Sequence, residues 1–231
     1  RIFLFFIIIL IIFVTYLSIF GIKTDKFNEI IKSQIIKQDK RFDIIINDVF
    51  IKLNLKERSF SLNSKDVQLF ILKENHEISN IVVLLDLRSL LLQDNKVKKI
   101  IINSNENEIV GLLNFIKAYK VNIPVLYLKN SISKGKIVYD LVLNFKNNKL
   151  NQVKISGKIK NAEVKILGNN KLENTNLDFV YTNGNLDILD LNFKLKNTKF
   201  NSKKISITDQ DKSIELIGSF KNNLNLNLLL N

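Results

Sequence analysis

Hydrophobic residues in this chain first run unbroken, then recur at helical spacing, then alternate with polar ones, and that order predicts the architecture. Ile2 to Phe20 (IFLFFIIILIIFVTYLSIF) carries no charge, and only Thr15 and Ser18 bear small hydroxylated side chains. As a helix rising ~1.5 Å per residue it would reach roughly 28 Å, close to the ~30 Å hydrocarbon core of a bilayer. About 16 strongly apolar residues at a few tenths of a kcal/mol each give an insertion gain on the order of 5–10 kcal/mol. A cleaved signal peptide is the competing reading, but the exit Ser18-Ile19-Phe20-Gly21 places bulky residues where a peptidase needs small ones. Residues 1–21 are therefore expected to form an uncleaved transmembrane anchor, with Phe5, Ile9, Phe13 and Phe20 among its anchoring side chains.

Gly21 closes the apolar run, and Asp25 stands where it can cap a second helix by accepting backbone N–H bonds. Within Lys26 to Gln38 the residues Phe27, Ile30, Ile31, Ile35 and Ile36 recur at helical spacing, with Asn28, Lys32 and Lys37 between them. A short amphipathic helix within 22–40 follows; it can lie on headgroups or cap the body, and capping is the commoner outcome. From Phe42 the period becomes two. Ile45-Val49-Ile51-Leu53-Leu55 forms an apolar face interrupted by Asn47, and Phe60-Leu62, Val67-Leu69-Ile71 and Ile81-Val83-Leu85-Leu87 repeat the pattern. Polar breaks at Asn63-Ser64-Lys65 and at Lys73 to His76 predict a meander of antiparallel strands. Ser89 to Leu92 reads as a helical turn and Val97 to Asn103 as a short strand. Glu106 to Lys120 returns to helical spacing, with Ile109, Leu112, Leu113, Ile116 and Tyr119 on one face. Pro124, the only proline, then marks the start of a strand.

Beyond Val125 almost everything alternates: Val125–Leu128, Ile137–Phe145, Val153–Ile159, Ala162–Leu167, Leu177–Tyr181, Leu186–Leu195, Lys204–Ile207, Ser213–Phe220 and Leu224–Leu230. Asn147-Asn148, Gly168-Asn169-Asn170, Asn183-Gly184 and Asp209-Gln210-Asp211 supply turn chemistry, and Asn-Gly between two alternating runs is the strongest hairpin signal of the set. The apolar phase slips by one residue between Ile188 and Leu189, as a β-bulge would require. Leu224, Leu226, Leu228 and Leu230 alternate with asparagine and lack a Lys or Pro to protect a free edge. The sheet is therefore expected to continue past Asn231, and the absence of Met predicts that the natural chain begins before Arg1.

The predicted fold is mainly β with a few helices: the anchor (1–21), the juxtamembrane helix (22–40), a first meander with a helix at 106–120 (41–124), and a long antiparallel sheet (125–231), open at its C-terminal edge. Net charge is +13, yet only Arg1, Arg41, Arg58 and Arg88 are arginines and the other 31 basic residues are scattered lysines. Nucleic-acid surfaces cluster Arg with aromatics, so nucleic acid is not an expected partner. There is no Cys, which leaves no disulfide framework, thiolate nucleophile or cysteine metal site. His76, the only histidine, lies in a turn-like run and reads as a solvated loop residue without a partner for zinc or serine. Asp187 and Asp190 fall on opposite faces of a strand unless the bulge realigns them, Asp209 and Asp211 share a face but sit in a turn, and seven glycines include no phosphate loop. No catalytic, metal-ligating or cofactor-binding residue is predicted, and the chain reads as a non-enzyme.

What remains is a sheet with one apolar face that must be covered. A second layer could cover it, or the sheet could curl and leave a groove for acyl chains. Moving one C16 chain from water into such a groove gains about 12 kcal/mol before ordering costs, at roughly 0.8 kcal/mol per methylene. Candidate groove residues are Ile45, Val49, Ile51, Leu53, Leu69, Val83, Leu85, Ile155, Leu191, Phe193, Leu226 and Leu228.

The order of elements resembles the AsmA-like proteins of the bacterial envelope. The likeness runs from the apolar helix with Gly21-Ile22-Lys23-Thr24, through the strand Phe42–Leu55, to Asp86-Leu87-Arg88-Ser89-Leu90-Leu91-Leu92, similar to the family's strand ending in a "sl.sll" turn. It continues through Val97–Ile102, the helix Asn107–Tyr119 and Leu126–Ile137, where Lys134 precedes Gly135 in place of the family's usual Asn-Gly. Ile155–Val164 through Ile217-Gly218-Ser219-Phe220 looks like the middle of the longest members. The resemblance implies a curved β-groove in the periplasm, held to the inner membrane by a single pass and carrying phospholipid toward the outer membrane, with no catalytic residues. Envelope or outer-membrane proteins would be further partners. Lys23, Lys26, Lys32, Lys37 and Lys40 follow the anchor against only Arg1 before it, a bias that alone favours a cytoplasmic body, but long domains translocate largely regardless of charge. An alternative function is a scaffold for outer-membrane protein assembly, pairing client strands with the Leu/Asn edge.

Overall fold

The computed structural model describes residues 2–25, 28–88, 96–146, 149–166, 170–196, 198–210 and 213–222. Among the described residues the protein is mainly β, with four helices and one large antiparallel sheet. The helices are α1 (Ile2–Ile19), α2 (Asn28–Gln38), α3 (Ile109–Tyr119) and α4 (Ile123–Ser131). The strands are β1 (Ile22–Thr24), β2 (Phe42–Ile45), β3 (Val49–Asn54), β4 (Ser59–Ile71), β5 (Glu74–Asp86), β6 (Val97–Ser104) and β7 (Asn107–Glu108), followed by β8 (Ile132–Lys146) and β9 (Lys149–Lys165). The last five are β10 (Lys171–Thr182), β11 (Asn185–Leu195), β12 (Thr198–Gln210), β13 (Ser213–Gly218) and β14 (Lys221–Asn222). Strand order is β1-β3-β4-β5-β6-β8-β9-β10-β11-β12-β13, with β2 beside β4, β7 beside β8 and β14 beside β12. Two compact units divide the chain: residues 1–70, 77–103 and 142–152, and residues 71–76, 104–141 and 153–231.

In the first unit, α1 meets β3 at its C-terminal end, where Leu17 is buried although Phe3 to Phe13 are exposed wherever described. Gly21 makes that junction possible. It has φ 73°, and a Cβ there would stand 2.6 Å from the Ile51 carbonyl oxygen. The chain then pairs at once, with Ile22 opposite Ile51 and Thr24 opposite Val49. Among the described residues no helix is long and apolar enough to be taken as a membrane span. α1 comes nearest, with 18 uncharged residues.

The expected single strand Phe42–Leu55 is two strands, because residues 46–48 leave the ladder. The carbonyls of Ile46 and Asn47 instead accept from the Asn28 side-chain amide of α2, at 3.1 and 3.0 Å. This break reverses the alternation: Ile44 is buried, and Ile45 stands 47% exposed. The expected break at Asn63–Lys65 is absent, and β4 runs through it. Asp66 there takes φ 51°, so the buried side passes from Ser64 to Val67 without a turn. Ile44, Val67 and Ile78 form this unit's core, with Ile35, Ile46, Leu69, Ile81 and Ile102 against it.

In the second unit, α3 starts at Ile109, after Asn107 and Glu108 pair with Ile137 and Lys136 of β8. Its Ile109 and Leu113 close on Ile137 and Ala162. Val125–Leu128 is helical, correcting the expected strand. The Asn122 side chain accepts from the Val125 N–H at 2.9 Å and Pro124 lies in the first turn, so both residues act as helix starters. The two segments expected at 153–159 and 162–167 are one strand, β9, carrying a bulge at Asn161.

Bulges recur on the neighbouring strands: Asn161, Asn174 and Asp190 have φ of 51°, 50° and 48°. An amide ladder ties them together. Asn161 N–H donates to Asn176 Oδ1, Asn176 Nδ2 donates to the Asn174 carbonyl and to Asn192 Oδ1, and Asn192 Nδ2 donates to the Asp190 carbonyl. The slip read at Ile188–Leu189 thus falls at Asp190, where the β10–β11 register shifts. Asn183-Gly184 forms the two-residue turn between β10 and β11, both residues at positive φ. The expected helical turn at 89–92 and the Leu/Asn run at 224–230 lie outside the described residues.

Candidate functional site

Helix α2 and five strands of the first unit surround an apolar cavity of about 360 Å³. Each strand sends alternate residues to one face. β6 gives Ile100 and Ile102, β5 gives Ile81 and Val83, and β4 gives Leu62, Ser64, Val67 and Leu69. Ile44 and Val49 come from β2 and β3, Ile46 from the break between them, and Ile31 and Ile35 from one side of α2. The α2 pair are four residues apart, which places both on the sheet-facing stripe. Twelve of the thirteen lining residues are aliphatic.

The thirteenth is Ser64. It is 7% exposed, and its buried hydroxyl has no hydrogen-bond partner among the described residues. An unpaired buried hydroxyl costs about 1–3 kcal/mol, so a ligand group able to bond it would recover part of that. Among the described residues no titratable side chain lines the cavity. At its margin Lys32 of α2 pairs with Asp43 of β2 at 3.2 Å. Asp43 is held below the usual carboxylate range first by the Ile44 N–H, which donates to it, and further by Lys32. The arrangement can enclose an apolar chain; it has no group for proton transfer.

The candidate groove residues divide. Val49, Leu69 and Val83 line the cavity. Leu53 is buried, Ile51 is half-buried opposite Ile22 and Leu62, and Leu85 is half-buried on β5. Ile45 is turned away from the cavity by the break after β2, which corrects its place on the apolar face. Ile155 is half-buried in the second unit. Leu191 and Phe193 border concavities of about 380 and 310 Å³, the first lined mainly by asparagine, serine and lysine and the second by asparagine and lysine. Phe193 stacks on Phe200 at 5.2 Å. Leu226 and Leu228 lie outside the described residues. Ile81, Ile100 and Ile102 were missed although they alternate, because nothing in the sequence says which strand face α2 covers.

His76 is not a solvated loop residue. The turn is confined to Leu72-Lys73, so β5 begins at Glu74 and its alternation carries His76 inward to 4% exposure. In the second unit its Nε2 shares a 2.6 Å hydrogen bond with the Tyr139 hydroxyl, and Phe115 lies 5.5 Å from its ring. Burial pushes the His76 pKa down and drives the Tyr139 phenol up to about 12. Among the described residues no three His, Cys, Asp or Glu side chains gather as a metal site would require. No family model, curated protein or solved structure matches the chain.

Proposed function

We propose that the protein is a membrane-anchored envelope protein that binds lipid acyl chains in the α2-covered cavity and helps move phospholipid between inner and outer membranes. The observation that carries this reading is the cavity wall, which among the described residues has twelve aliphatic side chains and one unpartnered hydroxyl. Its ~360 Å³ holds about a dozen methylenes at roughly 30 Å³ each, the share a water takes in the liquid. At roughly 0.8 kcal/mol per methylene, that chain length gains about 10 kcal/mol before ordering costs.

In this reading α1 lies in the bacterial inner membrane and the body in the periplasm. Its 18 residues fall at the short end of the ~17–25 that a membrane helix uses, and its Phe5, Ile9 and Phe13 are exposed. Phe20 follows in the turn after the helix, also exposed. The AsmA-like order of elements supports the same assignment. The scaffold alternative rests on Leu224–Leu230, outside the described residues, and nothing described favours it.

The test is lipid mass spectrometry on the full chain extracted in mild detergent, beside a variant carrying Leu69→Phe and Val83→Phe. Lipid around α1 is common to both proteins, so their difference reports the cavity. The proposal expects the filled variant to retain less phospholipid per chain while keeping its circular dichroism. Equal retention by two folded proteins overturns it.

A further inference from the structure

We infer that the tip of the α3–α4 hairpin in the second unit is a contact site for an anionic bilayer surface. This does not rest on the cavity or on α1. Ile123, at 84%, is the most exposed large hydrophobic side chain among the described residues, and Tyr127, Val121 and Tyr119 beside it in sequence are 65%, 61% and 53% exposed. A monomer gains nothing by presenting so much apolar surface at one tip.

The charge around the tip is of one sign. From Ile109 to Tyr139 the chain has no Asp or Glu and five lysines. Lys134 and Lys136 are neutralised by Glu163 and Glu106, at 2.6 and 2.9 Å. Lys117, Lys120 and Lys129, which flank the apolar tip, form no ion pair among the described residues. Aliphatic residues to insert, tyrosines at headgroup depth and uncompensated lysines around them are the composition of an interfacial membrane contact. An apolar protein partner would not require this one-signed rim.

The tip is also preformed. Lys120 N–H donates to the Ile116 carbonyl at 2.9 Å, closing α3, and the Asn122 cap with Pro124 opens α4 two residues later. Little ordering is left to be done on contact.

The chain contains no tryptophan, so Ile123→Trp creates a single reporter. The full chain is held in phosphatidylcholine nanodiscs, and vesicles of phosphatidylcholine with or without phosphatidylglycerol are added, each with brominated acyl chains. A second set of nanodiscs carries the brominated lipids itself. The expected result is a blue shift and bromine quenching wherever phosphatidylglycerol is present, in either bilayer. Each lysine near an anionic surface contributes about fivefold to partitioning, so Lys117→Gln, Lys120→Gln and Lys129→Gln together should weaken it roughly 100-fold. A Leu216→Trp control, placed at another exposed site, should respond in neither case. Solvent-like emission at 123 with every lipid overturns the inference, as does equal quenching at 216. A blue shift that grows with protein concentration without anionic lipid also overturns it, reassigning the tip to contacts between copies.

Discussion

His76 is buried against Tyr139 and Phe115, where a charged imidazolium has no carboxylate among its described ring and hydrogen-bond partners. Burial lowers its pKa, so the unfolded chain takes up the proton first as pH falls. Above the ordinary histidine value of about 6.5 both states are neutral and the residue adds no pH dependence. Below it, stability should fall by up to about 1.4 kcal/mol per pH unit until the folded-state pKa is passed. Asp43, Glu106, Glu163 and Asp187 have lowered carboxyl pKa values and titrate beneath that window. Denaturant midpoints at about pH 7.5 and about pH 5.5 should therefore separate for the native chain and coincide for His76→Phe. An equal acid loss in both proteins would exclude His76 as the cause. Gly157 makes a second prediction of the same kind. A Cβ there would lie 2.3 Å from the Val138 carbonyl oxygen and 2.9 Å from the Phe179 ring, so Gly157→Ala should cost about 1–3 kcal/mol by chemical denaturation. Neither environment could be read from sequence, because each depends on residues far along the chain.

At the scale of elements, the periods of hydrophobicity were informative and the punctuation was ambiguous. Alternation marked most strands, and the 31/35 spacing marked the face of α2 that meets the cavity. A polar residue inside an alternating run, however, has the same local signature whether the chain turns or bulges. Asn63-Ser64-Lys65 reads as a break and the segments 153–159 and 162–167 read as separate strands, yet Asp66 and Asn161 take positive φ within continuous strands. Only neighbouring strands decide, here through the ladder centred on Asn176. Asn176→Ala removes its bonds to Asn161, Asn174 and Asn192 and should cost about 1–3 kcal/mol, read as a lowered denaturation midpoint. Helix α4 was legible in principle, since Asn122 and Pro124 are both helix-start signals. The valine-leucine-tyrosine run after them has strand propensity, and the cap outweighed it. Asn122→Ala should cost about 1 kcal/mol and loosen the α3–α4 tip, visible as faster amide exchange at Val125.

At the scale of the molecule, the apolar face read along the strands is covered in the first unit by α2, incompletely, and that incompleteness leaves the cavity proposed as the binding site. Val49, Leu69 and Val83 were recognisable there from alternation alone. Ile45 was not, because a three-residue break reverses the face, and Ser64 was not, because its hydroxyl matters only once its surroundings are known. The central claim is that an acyl chain occupies this cavity. The most direct measurement places a small diazirine amino acid at position 83, inside the cavity, or at position 55, where Leu55 is 56% exposed. The full chain is irradiated in native membranes and the adducts are identified by mass spectrometry. The account predicts phospholipid adducts at 83, few at 55, and their loss from 83 when Leu69→Phe fills the space. No lipid adduct at 83, or equal labelling at 83 and 55, would contradict it.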